Sequence, residues 1–111
     1  MQVNQQQESG FTVLQLEGEV DMQASPEARK VILDCLENGS HLCVDLSGVS
    51  YMDSSGIASL VEGLQRARAK KLIFGLLAPS QSVMQVLRLS RLDSVFNIYD
   101  TKDQFRQALP G

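Results

Sequence analysis

The 111-residue sequence predicts an α/β fold in which buried strands alternate with amphipathic helices. Two runs of mostly apolar residues, His41–Leu46 and Leu72–Leu77, are typical of central strands that are buried on both faces. The segments that follow them repeat apolar residues at intervals of three and four, as helices do when they pack one side against a sheet. This alternation predicts a mostly parallel sheet with right-handed crossovers, in the order β-β-α-β-α-β-α-β-α.

The chain begins with two predicted extended segments. Residues 1–9 are polar and rich in glutamine, so they form either an edge strand or a flexible tail. Ser9-Gly10 is a turn signal, and the segment that follows it, Phe11–Leu16, is rich in β-forming residues. Extended segments on either side of such a turn predict a hairpin. Residues 18–21 are interpreted as a loop or a short strand.

A helix and a central strand are predicted next. Ser25 and Pro26 predict the start of the helix, with Ser25 at the N-cap and Pro26 at the first helical position. The apolar stripe of this helix consists of Ala28, Val31, Ile32 and Cys35. Asn38-Gly39 predicts where the helix ends. The strand over residues 41–46 is followed by the polar residues 47–50, which predict a loop.

Three further helices and two strands complete the predicted order. The helical period returns in the stripe Ile57, Leu60, Val61, Leu64 and Ala67. Pro79-Ser80 begins the next helix, whose predicted inward residues are Val83, Val86 and Leu87. Val95–Tyr99 predicts the last strand. Residues 100–103 begin a short closing helix, whose predicted inward residues are Phe105, Ala108 and Leu109.

Composition and charge argue against several function classes. The length fits one domain over residues 1–111. The net charge is −3 and no Lys or Arg precedes Arg29, which argues against binding nucleic acid. The longest apolar run, Leu72–Ala78, is far shorter than the roughly 20 residues of a membrane span. We therefore expect a soluble, cytoplasmic protein that neither binds nucleic acid nor inserts into a membrane.

The two cysteines, Cys35 and Cys43, lie in apolar surroundings. A free cysteine in such a place behaves as a small buried hydrophobic residue. His41 is close to both in sequence, but the spacing matches no standard zinc site, which needs four ligands. We expect neither a metal nor a cofactor.

The stretch most informative about chemistry is Asp45–Gly56, where a buried strand ends, a loop follows and a helix begins. Ligands and partners of α/β proteins gather at this edge of the sheet, and Asp53 or Ser54 is the predicted N-cap. A nucleophilic serine would need a neighbouring general base. The only histidine, His41, is at the opposite end of the strand, and the sequence has no nucleophile elbow or phosphate-binding loop. We therefore expect that the chain is not an enzyme.

Four motifs together resemble a known family. Tyr51–Ile57 is similar to the signature of bacterial anti-sigma factor antagonists, the stand-alone STAS domains. Leu16–Asp21 resembles the acidic loop of that family, and Val44–Val49 resembles its central strand. Leu89–Leu92 stands where the family often has Ser-Gly-Leu. The motifs occur in the family's order, and the resemblance covers nearly the whole chain, from about Phe11 to Leu109.

The resemblance implies a mixed sheet with helices packed mainly on one face. It also implies a regulator that binds an anti-sigma factor, often itself a serine kinase, and so releases a sigma factor. Phosphorylation at Ser54 would abolish binding, and a serine phosphatase would restore it; Ser55 remains an alternative acceptor. We expect a monomer or weak dimer. The expected partner-binding residues are Glu19, Asp21, Tyr51, Met52, Asp53, Ser54, Ser55, Gly56 and Ile57.

Two other functions stay open at the level of sequence. One is a STAS subunit of a membrane lipid- or anion-transport system, in which the same helix face would dock permanently on another component. The other is a small serine-dependent enzyme. The chain also departs from the family at Ala58 and Arg91, where close relatives often have glycine. If the second position requires a positive φ angle, Arg91 is strained by about 1–2 kcal/mol.

Overall fold

The computed structural model describes residues 1–110, which contain five strands and four helices in the predicted order. The elements are β1 Gln2–Glu8, β2 Phe11–Val20, α1 Ser25–Glu37, β3 Leu42–Met52, α2 Ser54–Ala69, β4 Phe74–Leu77, α3 Gln81–Leu89, β5 Asn97–Tyr99 and α4 Lys102–Gln107. The strands form one sheet in the order β1-β2-β3-β4-β5. β1 is antiparallel to β2, and the other neighbours are parallel. The mixed sheet is therefore confirmed.

Side chains of the central strand β3 alternate between two hydrophobic clusters. Leu42, Val44 and Leu46 point into the larger cluster, which is shared with α1, α2 and α3. Cys43 points to the other face, into a smaller cluster that contains Phe105 of α4. Three helices thus cover one face of the sheet and a single short helix covers part of the other. This confirms the expectation of helices mainly on one face.

Both cysteines are buried and free, as predicted for core residues. Burial is the main reason that the pKa of the Cys43 thiol rises to about 12, and the nearby Asp45 carboxylate adds to the shift. Cys35 shows a pKa shift in the same direction, again caused mainly by burial. Neither thiol is available as a thiolate at neutral pH.

The loop predicted over residues 47–50 is wrong, because β3 continues through it to Met52. The error has a physical origin in β2, which extends to Val20 rather than ending near Leu16. The two strands stay paired up to Val20 opposite Met52, with register shifts on the way. Only Val49 of the four residues is buried, so this part of β3 has the polar surface of a loop and the backbone of a strand.

The start of α1 lies one residue from its predicted position. Its N-cap is Ala24, and Ser25 is the first helical residue. The Ser25 hydroxyl donates to the Met22 carbonyl at 3.3 Å instead of capping the helix. Asp21 provides the side-chain acceptor at this end of α1, because its carboxylate accepts hydrogen bonds from the backbone N–H groups of Gln23 and Ala24. An Asx-type turn before the helix therefore replaces the expected serine cap.

Two further predictions at the C-terminal end need correction. Ala108 was expected to face inward, but it is exposed because α4 ends at Gln107 and Ala108 is its C-cap. The last strand is shorter than the predicted Val95–Tyr99, since β5 begins at Asn97. Phe105 is fully buried, as predicted.

Among the helices of residues 1–110, none combines the length and hydrophobicity needed to cross a lipid bilayer.

Candidate functional site

The candidate site lies where β2 and β3 end side by side and α2 begins. The strands pair with Glu19 opposite Tyr51 and Val20 opposite Met52. The next residue, Asp53, donates its backbone N–H to the Val20 carbonyl at 3.4 Å. The acidic segment after β2 and the signature after β3 are therefore held together by backbone pairing, at the sheet edge where α/β proteins place their sites.

Asp53 is the N-cap of α2, one of the two residues predicted for that position. Its Oδ1 accepts the backbone N–H groups of Ser55 at 3.0 Å and Gly56 at 3.3 Å, and the Ser55 hydroxyl at 2.5 Å. The Ser55 hydroxyl is the largest cause of a lowered Asp53 pKa, partly opposed by burial. Backbone N–H groups of Gly56, Ser55 and Met22 lower the pKa further. Asp53 is therefore ionised at neutral pH.

The two candidate serines have different surroundings. Ser54 is the first residue of α2 and is exposed, and none of the hydrogen bonds found among residues 1–110 uses its hydroxyl. Ser55 is half-buried, and its hydroxyl is committed to the Asp53 carboxylate. The Ser54 side chain is thus open to a partner, whereas the Ser55 side chain is part of the helix cap.

Three of the nine expected site residues are buried and shape the surface from below. Met52 and Ile57 belong to the large core cluster. Gly56 lies so close to the sheet that a Cβ atom there would be 2.7 Å from Met52 Cγ and 2.8 Å from the Val20 carbonyl oxygen. The glycine lets the first turn of α2 sit directly on the ends of β2 and β3. These three residues set the position of Ser54 from beneath the surface.

The acidic residues of the site have separate roles. Asp21 is half-buried and holds the turn before α1 through its two backbone N–H bonds. Glu19 is exposed beside Tyr51. Both also line an open cleft of about 280 Å³, together with Glu27 on α1. With Asp53, these carboxylates give this edge of the protein a negative field.

Two exposed apolar side chains lie at the same edge. Tyr51 is 51% exposed, and Met22 is 75% exposed. Tyr51 is in the signature, but Met22 was not among the residues predicted from sequence. The Met22 backbone N–H contributes, as the smallest of the causes, to the lowered pKa of Asp53, so Met22 lies near the helix cap. The available sequence signal was a large apolar residue inside the polar segment Asp21–Gln23.

The first turn of α2 is also tied to α1. The buried Ser59 hydroxyl lies 3.2 Å from the Ser55 carbonyl and 3.3 Å from the Ser25 carbonyl, so it bridges the two helices as donor. An open groove of about 300 Å³ runs beside this bridge, and the Arg29–Glu62 ion pair lies along it. The helix start that carries Ser54 is therefore held by the sheet on one side and by α1 on the other.

A family model described as the STAS domain matches residues 2–105. The chain belongs to the STAS domain family. It is 26% identical over 89 residues to the anti-sigma-B factor antagonist of Staphylococcus epidermidis. The matched residues cover 79% of this chain and 82% of that relative.

Solved structures show the same fold. An anti-sigma factor antagonist from Mycobacterium paratuberculosis superposes with a TM-score of 0.83 at 26% identity, covering 96% of this STAS domain and 92% of that chain. The Bacillus cell fate determinant SpoIIAA, solved in its phosphorylated form, superposes with a TM-score of 0.73 at 22% identity. That match covers 96% of this chain and 97% of SpoIIAA.

The only histidine of this STAS domain is far from its serines. His41 precedes β3, and its Nδ1 accepts the Ile73 N–H at 2.9 Å. The 11 residues of β3 separate it from Asp53, a length of roughly 35 Å at about 3.3 Å per residue. His41 therefore cannot act as a general base for Ser54 or Ser55.

Proposed function

We propose that this STAS domain is an anti-sigma factor antagonist whose unphosphorylated form binds an anti-sigma factor, and whose phosphorylation at Ser54 abolishes that binding. The observation that carries the proposal is the exposed Ser54 hydroxyl on a helix start whose neighbouring hydroxyl, Ser55, is already used by the cap. The names of the similar proteins support the same function.

Local geometry favours Ser54 over Ser55 as the phosphate acceptor. A phosphate on Ser55 would place a dianion against the ionised Asp53 carboxylate and remove a hydrogen bond from the cap. A phosphate on Ser54 would project from the first turn of α2 into solvent. Anions at a helix N-terminus are stabilised by about 0.3–1 kcal/mol, so the fold itself tolerates the modification.

The proposed modification is a phosphoryl transfer from ATP. Ser54 Oγ attacks the γ-phosphorus, the bond to the β,γ-bridging oxygen breaks, and the hydroxyl proton goes to a base of the kinase. ADP leaves, and Ser54 carries the phosphate. A serine phosphatase then hydrolyses the ester with water, which releases inorganic phosphate and restores the hydroxyl. The anti-sigma factor serves as the kinase in this scheme.

Phosphorylation acts on the interface through charge rather than through a change of fold. It adds about −1.5 to −2 charge at neutral pH, next to the ionised Asp53. A partner that matches neutral Ser54 then meets a bulkier and more negative surface. Like charges placed together at an interface cost several kcal/mol, which corresponds to about a hundredfold or more in affinity.

The exposed pair Tyr51 and Met22 supplies apolar contact area for the same partner. Aromatic and methionine side chains are enriched at interfaces, and a few of them dominate binding energy. We expect Met22→Ala to weaken binding about tenfold or more. Leu89→Ala is the matched control, because Leu89 is 79% exposed on α3, away from the site. Equal effects of the two variants would contradict this assignment of the surface.

The experiment that tests the proposal is a pull-down from native lysate with four versions of the chain as bait: wild type, Ser54→Asp, Ser55→Ala and Ser94→Asp. Ser94 is exposed in the segment before β5, so it controls for the added charge. We expect an anti-sigma factor on every bait except Ser54→Asp. Equal recovery of a membrane-transport component on all four baits would refute the switch and indicate the transport-subunit alternative.

A further inference from the structure

Seven residues of β1 form one edge of the sheet, whereas the opposite edge strand, β5, has only three. Five of those seven residues are exposed, and Val3 and Glu8 are half-buried. An edge strand presents a row of unpaired N–H and C=O groups, which another strand can bind. The edge at β1 is thus the longer of the two places where this sheet can be extended.

The turn geometry determines which groups of β1 point outward. Glu8 pairs with Phe11 across the two-residue turn Ser9-Gly10, so these two residues must bond to each other. Because hydrogen-bonded and non-bonded pairs alternate, Gln6, Asn4 and Gln2 also bond to β2. The backbone groups of the remaining residues point away from the sheet; these residues are Val3, Gln5 and Gln7.

This edge lacks the features that usually prevent strand pairing. Such features are lysine, proline, bulges and charges on the edge. Residues 2–7 have the sequence Gln-Val-Asn-Gln-Gln-Gln, which contains no charge and no proline. The register with β2 runs without interruption from Gln2 to Glu8. β1 is also held in place, because Glu8 forms ion pairs with Lys102 at 3.9 Å and Arg106 at 3.5 Å on α4.

We propose that β1 is a self-association surface, on which the β1 strand of a second copy of this chain pairs antiparallel about a two-fold axis at Gln5. In this register Val3 faces Gln7 of the second copy, and the outward groups complete a continuous ladder of hydrogen bonds. Gln5 faces Gln5 of the second copy, and their side-chain amides can bond to each other because an amide both donates and accepts hydrogen bonds. Glu8 faces Gln2, so no like charges oppose each other.

We expect a second copy of the chain to bind the β1 edge because this edge is complementary to itself. Like charges that faced each other across the two-fold axis would repel, whereas residues 2–7 carry no charge and Glu8 faces the neutral Gln2. One strand pair buries less than the roughly 1,000 Å² expected of a stable interface, so the dimer is weak. Because the two copies run antiparallel, their Ser54 sites lie at opposite ends of the joined sheet. Ser54 lies on α2 and not on the β1 edge, so dimerisation leaves both Ser54 hydroxyls exposed and is tested separately from the proposed function.

Sedimentation equilibrium from micromolar to millimolar concentration tests this proposal. We expect the wild-type mass to rise towards that of a dimer. Gln5→Lys places two positive charges face to face and should weaken association about fivefold at low ionic strength. Asn4→Lys is the matched control, because it adds the same charge on the opposite face of β1, where it faces Gln6 of the second copy and is only a diagonal neighbour of its own copy, at about 7–8 Å. We expect it to weaken association less than Gln5→Lys does.

A mixture of Gln5→Lys and Gln5→Glu provides a second measurement. The opposite charges then face each other, so we expect the mixture to associate more strongly than either variant alone. Circular dichroism and melting curves confirm that each variant is folded. A wild-type chain that stays monomeric at millimolar concentration would overturn the proposal. So would equal weakening by Gln5→Lys and Asn4→Lys, or a mixture that associates no better than its components.

Discussion

Replacement of Asp53 by alanine removes three hydrogen bonds from the first turn of α2, those from the Ser55 N–H, the Gly56 N–H and the Ser55 hydroxyl. Loss of an N-cap side chain costs about 0.5–2 kcal/mol. All three donors lose this acceptor, so we expect a loss of about 1–2 kcal/mol in the free energy of unfolding. For a chain of this size, that corresponds to a fall of about 4–8 °C in melting temperature.

The effect of Asp53→Ala also depends on pH. Hydrogen bonding holds the pKa of Asp53 below its ordinary value of 3.8. A carboxyl whose pKa is lowered by folding stabilises the protein fully above its unfolded pKa, and the contribution is lost as pH falls through the folded pKa. The difference in unfolding free energy between wild type and variant should therefore be constant near neutral pH and shrink below about pH 4.

Urea denaturation at a series of pH values measures both effects. Ser55→Ala is the matched control, because it removes one donor and leaves the two backbone bonds to Asp53 in place. We expect it to cost less than Asp53→Ala. The cap assignment would be refuted by an Asp53→Ala variant as stable as wild type, or by a difference that grows as the pH falls.

Three further predictions test other parts of the fold. Gly56→Ala should destabilise the protein by about 1–3 kcal/mol in urea, because the new Cβ would be 2.8 Å from the Val20 carbonyl oxygen; unchanged stability would contradict the close approach. Arg91→Gly and Lys71→Gly should each raise the melting temperature, since both residues have a φ of 60° after a helix. Glycine relieves about 1–2 kcal/mol of strain there and loses about 0.5–1 kcal/mol of that gain to its larger conformational entropy in the unfolded chain; a fall in melting temperature would contradict this. Cys43 should resist a thiol reagent in the native protein and react in denaturant, because it is fully buried and its pKa is about 12; rapid native labelling would contradict it.

Element order and much of the core are predictable from this sequence, because apolar spacing reports burial directly. The stripe of α2 is an example: Ile57, Leu60 and Leu64 are buried as predicted. The asparagine-glycine end of α1 is another, since Gly39 has a φ of 82°. The Asp53 cap was one of two candidates, and only the side-chain geometry distinguishes it from Ser54.

The parts that sequence reasoning missed depend on long-range pairing. The second half of β3 has few buried residues, so its polar pattern indicates a loop until its pairing with β2 is known. The role of Met22 has the same cause, because its position beside Asp53 arises from the pairing of Val20 with Met52. The different surroundings of Ser54 and Ser55 arise because the Ser55 hydroxyl points to the Asp53 carboxylate. The sequence does not determine the direction of that hydroxyl.

The affinity of the anti-sigma factor for this chain, with and without phosphate on Ser54, tests the central claim most directly. The phosphoserine would be introduced during synthesis, and calorimetry with the partner recovered by the wild-type bait would give both dissociation constants. We predict binding that is about a hundredfold or more weaker for the phosphorylated chain, with a melting temperature close to that of the unmodified protein. Equal affinity of the two forms would contradict the claim that Ser54 is the switch.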